Sequence, residues 1–370
     1  MKPNIFNYAT SELSQDAVIC WMIDWANSEN TVMKEFSHDF LKAMLNLDHN
    51  RHIDLNNLLK VEIKRQYCSI DVLALLSFKD ETMLPLIIED KTYTTEHGDQ
   101  IRRYYDIILE QNKGDEKIAK PLGIYYKSGY IYDYETVKAE IEGYMVFTRT
   151  MMLDLMKKYI GNAESDIFNN YYDYLTNIDL KEIIIENTID ADDMENMDKV
   201  LSTNEGQWML MKKMFGTTKK PYRWSGSSFG SPWTQWVILE QYEKEGLCDS
   251  IFYRLDRRIE GYNLSIRQYL DFEKLDLYKE NLRVVDNAII IQDKIKRLER
   301  LKTCFGRALD DTKLKGVSVL DAGKVSNRGS KECDIGVFFI NERNTFRRII
   351  EFIPIFNEVF KKEIKLEFKL

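Results

Sequence analysis

No run of about 18 consecutive apolar residues occurs in this sequence of 370 residues, and the richest stretches, Leu84 to Ile88 and Ile349 to Phe356, are short or interrupted by charge. No membrane span is expected. The amino terminus, MKPNIFNYATSELSQDAV, lacks the basic start, long apolar stretch and small-residue cleavage site of a secretory signal, so no export is expected either. The five cysteines, Cys20, Cys68, Cys248, Cys304 and Cys333, form no CxxC pair and have no histidine at zinc-finger spacing. Reduced, buried thiols in a cytoplasm are the expectation. His38, His49, His52 and His97 show no ligand spacing and are assigned no chemistry. Positive charge is also short: the formal net charge is -8. That argues against non-specific coating of nucleic acid, which rests on Lys and Arg neutralising phosphates, but it leaves room for a local basic cleft.

What is present belongs to a folded chain. Hydrophobic residues make up 44% and charged residues 30%, enough for a substantial core. Length favours two units, expected here as 1–180 and 181–370. Helical spacing predicts a first helix from Ser11 to Ala26 and a more polar one from Val32 to Leu45. Alternation over Val61 to Gln66 and the runs Ile70 to Phe78 and Leu84 to Lys91 predict three sequential strands, the last two joined as a hairpin by Lys79-Asp80-Glu81-Thr82. A helix from Thr95 to Gln111, strands at Ile118 to Tyr126 and Gly143 to Thr148, and a helix from Met151 to Tyr159 follow. This mixing implies an α/β layer fold with a mixed sheet flanked by helices. The second unit reads as α+β. It has a Gly/Ser-rich loop from Ser225 to Pro232, a hairpin of Ile251 to Arg258 with Tyr262 to Tyr269, a charged helix from Val285 to Leu309, a strand from Asp334 to Ile340 and a last helix from Thr345 to Lys361.

Chemistry concentrates in Ser69-Ile70-Asp71, Ile88-Glu89-Asp90-Lys91 and Gln100 to Tyr104. On a strand, Glu89 and Lys91 point one way and Asp90 the other, and Asp71 on the adjoining strand reaches the same point. Two carboxylates held close together repel, and a divalent cation removes that conflict. Magnesium, which takes a few carboxylate oxygens plus water and phosphate, suits Asp71 and Glu89, with Mn²⁺ as a substitute. Lys91 is placed either to orient or deprotonate an attacking water or to neutralise charge developing on phosphorus. Gln100 and Tyr104, four apart, share a helix face. Glu12, in the first turn of the opening helix, is a further candidate ligand, with Asp16 one turn on.

These residues resemble the PD-(D/E)xK nuclease superfamily, the restriction-endonuclease-like fold, whose core is a helix, a three-stranded meander, a helix and another strand. The likeness covers residues 5 to 160. Asp71 stands where that family has its motif Asp, and Glu89-Asp90-Lys91 stands where it has E-x-K. Gln100 to Tyr104 looks like the QxxxY extension of the exonuclease-like bacterial branch, and Glu12 looks like the acidic residue such branches contribute from their first helix. The resemblance implies catalytic Asp71, Glu89, Lys91, Gln100 and Tyr104, with Asp71, Glu89 and Glu12 as metal ligands. Some relatives hold an iron–sulfur cluster through four cysteines. The cysteine spacing here does not match, so no cluster is expected.

The plain alternatives set the terms for the structure. An E-x-K triplet is common in a chain rich in Glu and Lys, and its context, an apolar strand before Glu89 and the Gln100-Tyr104 helix after it, is what lends it weight. Glu12 also suits a helix start through the macrodipole, and Tyr104 suits a core. Lys219, Lys220 and Arg223, with Lys212 and Lys213 and interleaved Phe215, Tyr222 and Trp224, suit either a nucleic-acid contact or a solvated loop. Lys294, Lys296, Arg297, Arg300 and Lys302 read as a solvated helix face near Asp293 and Glu299. The expectation is thus a cytoplasmic Mg²⁺-dependent nuclease hydrolysing phosphodiester bonds, with DNA ahead of RNA as substrate, and the family resemblance alone implies bacterial defence as its setting. Whether it forms a homo-oligomer or engages a protein partner stays open. The alternative is a non-catalytic nucleic-acid-binding or protein-interaction module that retains the nuclease fold.

Overall fold

A computed structural model describes residues 4–9, 12–29, 31–95, 99–217, 223–228, 230–239, 249–258, 261–270, 287–314 and 332–369. The chain divides into Met1–Glu182 and Ile183–Leu370.

The first unit contains α1 (Glu12–Asp24), α2 (Thr31–Leu45), β1 (Leu58–Tyr67), β2 (Ile70–Phe78), β3 (Met83–Lys91), α3 (Gln100–Gln111), β4 (Leu122–Lys127), α4 (Asp133–Ile141), β5 (Tyr144–Thr148), α5 (Arg149–Met156) and α6 (Asp166–Asp190), within which the division falls. The strands form one sheet in the order β1-β2-β3-β4-β5. The first two pairings are antiparallel and the last two parallel. Parallel neighbours need a crossover, which α3 and α4 provide. Leu73, Ile87, Tyr125 and Tyr144 pack with Ile101, Tyr104 and Ile108 of α3 and Ala139 of α4. The opposite face, with Val72, Ala74, Leu86, Ile88 and Tyr126, packs against α1, α2, α5 and α6. With both faces covered, β3 and β4 are buried almost throughout, which is why they read as continuous apolar runs, whereas β1 at the edge keeps its polar residues.

The second unit contains α7 (Met197–Leu201), α8 (Asn204–Phe215), β6 (Arg223–Ser228), β7 (Ser231–Leu239), β8 (Ser250–Arg258), β9 (Gly261–Tyr269), α9 (Asn287–Leu314), β10 (Glu332–Ile340) and α10 (Phe346–Phe368). Its antiparallel sheet runs β10-β9-β8-β7-β6. Phe305 of α9, Phe338 of β10 and Phe352, Phe356 and Phe360 of α10 form a tilted and edge-to-face stack that fastens helices to sheet.

Several expectations need correction. The Gly/Ser-rich segment expected as a loop from Ser225 to Pro232 is largely strand: Ser225 to Ser228 end β6, and Ser231 and Pro232 begin β7. Its small residues make room for Trp233, because a Cβ on Gly226 would sit 2.8 Å from that ring across the strand pair. The strand expected from Ile118 begins instead at Leu122, just after Pro121, which has no N–H to give a ladder. Helix α4 was not anticipated. It is short and is fixed by the Glu135 carboxylate accepting the Tyr132 N–H at 3.0 Å. The last helix continues past Lys361 because Ile364 and Phe368 extend its buried stripe.

Candidate active site

The site is built on the ends of β2 and β3. On β3, Ile87 belongs to the α3 side and Ile88 to the α1 side, so Glu89 and Lys91 follow the former and Asp90 the latter. Gln15 of α1 accordingly reaches Asp90, its Nε2 donating to Asp90 Oδ1. The hairpin between β1 and β2 turns at Cys68 and Ser69, both left-handed at φ 52 and φ 69, and the turn leaves the Cys68 thiol exposed, against the expectation of buried thiols. That pattern belongs to a two-residue hairpin loop, in which Asn and Gly are the usual occupants. Gln66 just before it is also left-handed, at φ 55. Beyond this distortion strict alternation fails: Ile70 and Leu73 face the α3 side while Val72 and Ala74 face the other, and the break falls at Asp71. Non-glycine residues in such conformations cost of order 1–3 kcal/mol each and are held only where surrounding structure over-determines them.

The pairing of Val72 with Ile88 sets Asp71, one residue earlier, beside the β3 terminus. Its Oδ2 accepts the backbone N–H of Asp90 at 3.0 Å and the Lys91 ammonium at 3.3 Å. Lys91 Nζ lies 2.6 Å from Glu89 Oε1, and both residues are nearly inaccessible, at 6% and 1%. Lys91 also donates to the Asp90 carbonyl at 2.8 Å. One ammonium therefore sits among three oxygens, two of them from carboxylates that would otherwise repel. Gln66 Nε2 donates to Asp71 Oδ1 at 3.3 Å and to Asp16 Oδ2 at 3.0 Å, which draws α1 into the cluster.

The electrostatics follow from crowding acids in a buried place. Burial, then the Asp71 charge, pushes the Asp16 carboxyl up to about 6. Burial raises Asp90 well above the usual carboxylate range, with Asp16 and Asp71 adding and the Gln15 hydrogen bond opposing. Asp16 Oδ1 and Asp90 Oδ2 are buried with no hydrogen-bond partner among the described residues.

A second buried pair flanks the first. In the parallel β3–β4 ladder Lys91 is beside Lys127 and Glu89 beside Tyr125. Lys127 Nζ donates to Glu135 at 2.9 Å and to the Thr94 carbonyl, and the Tyr125 hydroxyl donates to Glu135 at 2.6 Å. Lys127 thus fastens the segment that leaves Lys91. Gly129 makes the same joint possible, since a Cβ there would stand 2.0 Å from the Thr92 carbonyl oxygen. Thr92 in turn donates to Gln15 at 3.3 Å and accepts from Ser128 at 3.3 Å.

The other sequence candidates divide. Gln100 Nε2 donates to the Tyr104 hydroxyl at 3.3 Å, and Tyr104 is buried in the α3-side core. Tyr104 packs with Ile87, Tyr125 and Tyr144 on the α3 side, the side of β3 from which Glu89 also projects. Glu12 opens α1, but its side chain lies outside the described residues, as do Lys219, Lys220 and the side chain of Arg223. His97, Cys248, Tyr222 and the Trp224 side chain are outside them too. Phe215 is half-buried, stacked on Trp236 at 5.4 Å and tilted against Tyr253 at 4.8 Å. Lys213 pairs with Asp190 at 2.8 Å. On α9, Lys296 and Lys302 pair with Asp293 and Glu299. Lys294 and Arg297 instead turn inward, to Cys333 at 3.7 Å and Asp249 at 2.6 Å, because one helix cannot keep all five cations on its solvated side. Sequence reasoning missed Gln15 and Gln66. Nothing in their spacing marks them, because both act across elements joined only by the fold.

Two carboxylates turned toward one cationic position, with hard oxygen donors throughout, fit a magnesium-type ion that completes its shell with water and phosphate. They do not fit a cage made by protein alone, since among the described residues no group of three His, Cys, Asp or Glu side chains is arranged to hold a metal.

Residues 3–133, from before α1 to the start of α4, match the model of a family described as the PD-(D/E)XK nuclease superfamily. No curated protein and no solved structure matches the chain. Among the described residues no helix is long and apolar enough to cross a membrane.

Proposed function

We propose that this chain, whose N-terminal unit belongs to the PD-(D/E)XK nuclease superfamily, is a metal-dependent nuclease that hydrolyses phosphodiester bonds in DNA. The observation that carries the reading is the Lys91 ammonium placed 2.6 Å from Glu89 and 3.3 Å from Asp71 at the ends of neighbouring strands. Asp71 and Glu89 are assigned as ligands of Mg²⁺, with Mn²⁺ as substitute and Glu12 as a third contributor. When bound, the cation supplies charge neutralisation at the phosphate and acidifies water. Lys91 has two carboxylates to choose between in its present position. With their charge met by a cation, its ammonium would serve the attacking water or the phosphoryl oxygens. Gln100 and Tyr104 support the Glu89 side, which is the reason to place the chain in the QxxxY branch. Lys219, Lys220 and Arg223 are assigned to substrate contact, and the unit beginning at 181 to positioning DNA or a partner. A cytoplasmic role in defence against foreign DNA is part of the proposal.

The test is incubation of the full chain with linear, circular and single-stranded DNA and with RNA, in Mg²⁺, Mn²⁺ or EDTA. Cleavage of DNA by wild type, lost in EDTA and lowered at least about 100-fold in Lys91→Ala and Glu89→Ala, is expected. A wild type that binds DNA but cleaves no substrate would leave the nuclease fold as a binding module.

A further inference from the structure

We infer that Gln66 is a positioning residue for the candidate cation site, holding Asp71 and Asp16 apart and in place from the end of β1. This rests on the reading of Asp71 as a cation ligand. Gln66 has one amide nitrogen with two N–H groups, and each meets a different acid: Asp71 Oδ1 at 3.3 Å and Asp16 Oδ2 at 3.0 Å. A neutral double donor is what two neighbouring carboxylates require if neither a cation nor a proton lies between them. The other oxygen of Asp71 is already fixed by the Asp90 N–H and Lys91, so with Gln66 in place both Asp71 oxygens are held.

The backbone supports the same assignment. Gln66 is left-handed at φ 55, a conformation that glycine adopts freely and glutamine does not. A residue chosen for backbone comfort here would be glycine, and a residue chosen for burial would be apolar. Gln66 is exposed, so it buries no apolar surface in return. What the side chain brings is its two hydrogen bonds to the acids. The left-handed residue also stands at the hairpin end beside Asp71, which the pairing of Val72 with Ile88 sets at the end of β3.

The geometry gives a clean experiment, because Gln66→Gly removes the amide while suiting the backbone. The full chain, Gln66→Gly, Asp71→Asn and the double variant are compared by thermal unfolding, by Mn²⁺ titration in a calorimeter and by DNA cleavage. Gln66→Gly is expected to keep or raise Tm by a few degrees, on the order of what a relieved left-handed residue gives. Its Mn²⁺ affinity is expected to fall roughly 10-fold and kcat by a similar factor, with KM within about twofold. In the Asp71→Asn background the same change should have no further effect on Mn²⁺ affinity. Unchanged or tighter Mn²⁺ binding in Gln66→Gly overturns the inference. So does a fall in Tm that accompanies the loss, because Gln66 would then be a general support of the hairpin. If wild type cleaves nothing, the nuclease reading fails while the Mn²⁺ comparison still decides the role of Gln66.

Discussion

Replacing Asp16 by Asn isolates the electrostatic cost of assembling this site. Asp16 is 1% exposed, and its carboxyl is raised from 3.8 to about 6 by burial and by the Asp71 charge. In the unfolded chain the group returns to its ordinary value. Between pH 4 and 6 the folded chain therefore holds a proton that the unfolded chain has released, and stability must fall as pH rises through that window. At about 1.4 kcal/mol per pKa unit the full shift corresponds to roughly 3 kcal/mol at neutral pH, and solvent screening at the mouth of the cluster reduces this to about 1–2 kcal/mol. Asparagine is nearly isosteric, keeps an acceptor for Gln66 and never ionises. Asp16→Asn should therefore be more stable than wild type by about 1–2 kcal/mol at pH 7.5, with the difference closing as pH falls below about 4. Urea unfolding at pH 7.5, 6, 5 and 3.5 measures it. A variant that is less stable at pH 7.5, or a difference independent of pH, would refute the reasoning, because ionised Asp16 would then be a favourable partner in the fold.

Three other outcomes follow from the same geometry. Lys127→Met leaves Glu135 buried without its ammonium and should cost about 3–5 kcal/mol in urea unfolding, while a loss below about 1 kcal/mol would show that the pair is not desolvated. Gly129→Ala forces a Cβ to within 2.0 Å of the Thr92 carbonyl and should both destabilise the chain by at least about 2 kcal/mol and lower kcat, since the displaced strand end carries Lys91. An unaltered Tm in that variant would mean the two loops part easily. Mn²⁺ at about 100 times its Kd should raise the stability of wild type by roughly 2.7 kcal/mol and that of Asp71→Asn by much less, read as the shift in Tm. Equal shifts would place the cation away from Asp71.

Much of the first unit is legible in the chain because each part obeys a local rule. Ile70 to Phe78 and Leu84 to Lys91 are strands as their patterns predict, joined through the polar break at Lys79 to Thr82. The helix after Lys91 starts at Gln100, later than expected from Thr95, and ends at Gln111 as expected. Where small residues suggested a loop, at Ser225 to Pro232, the deciding fact was a tryptophan on the neighbouring strand, which no local rule can see.

The same division runs through the candidate site. Period-two alternation along β3 puts Glu89 and Lys91 on one side and Asp90 on the other, because side-chain direction on a strand is a property of the backbone alone. How Asp71 meets them is not. That depends on the register of β2 against β3, on a glutamine that reaches a helix about 50 positions earlier in the chain, and on a lysine from the adjacent strand that ties down the exit of β3. Sequence order determines which groups are available and which way each faces its own strand. Only the packed sheet decides which acids crowd one another and which share a lysine, because the partners come from α1, β1, β2 and β4.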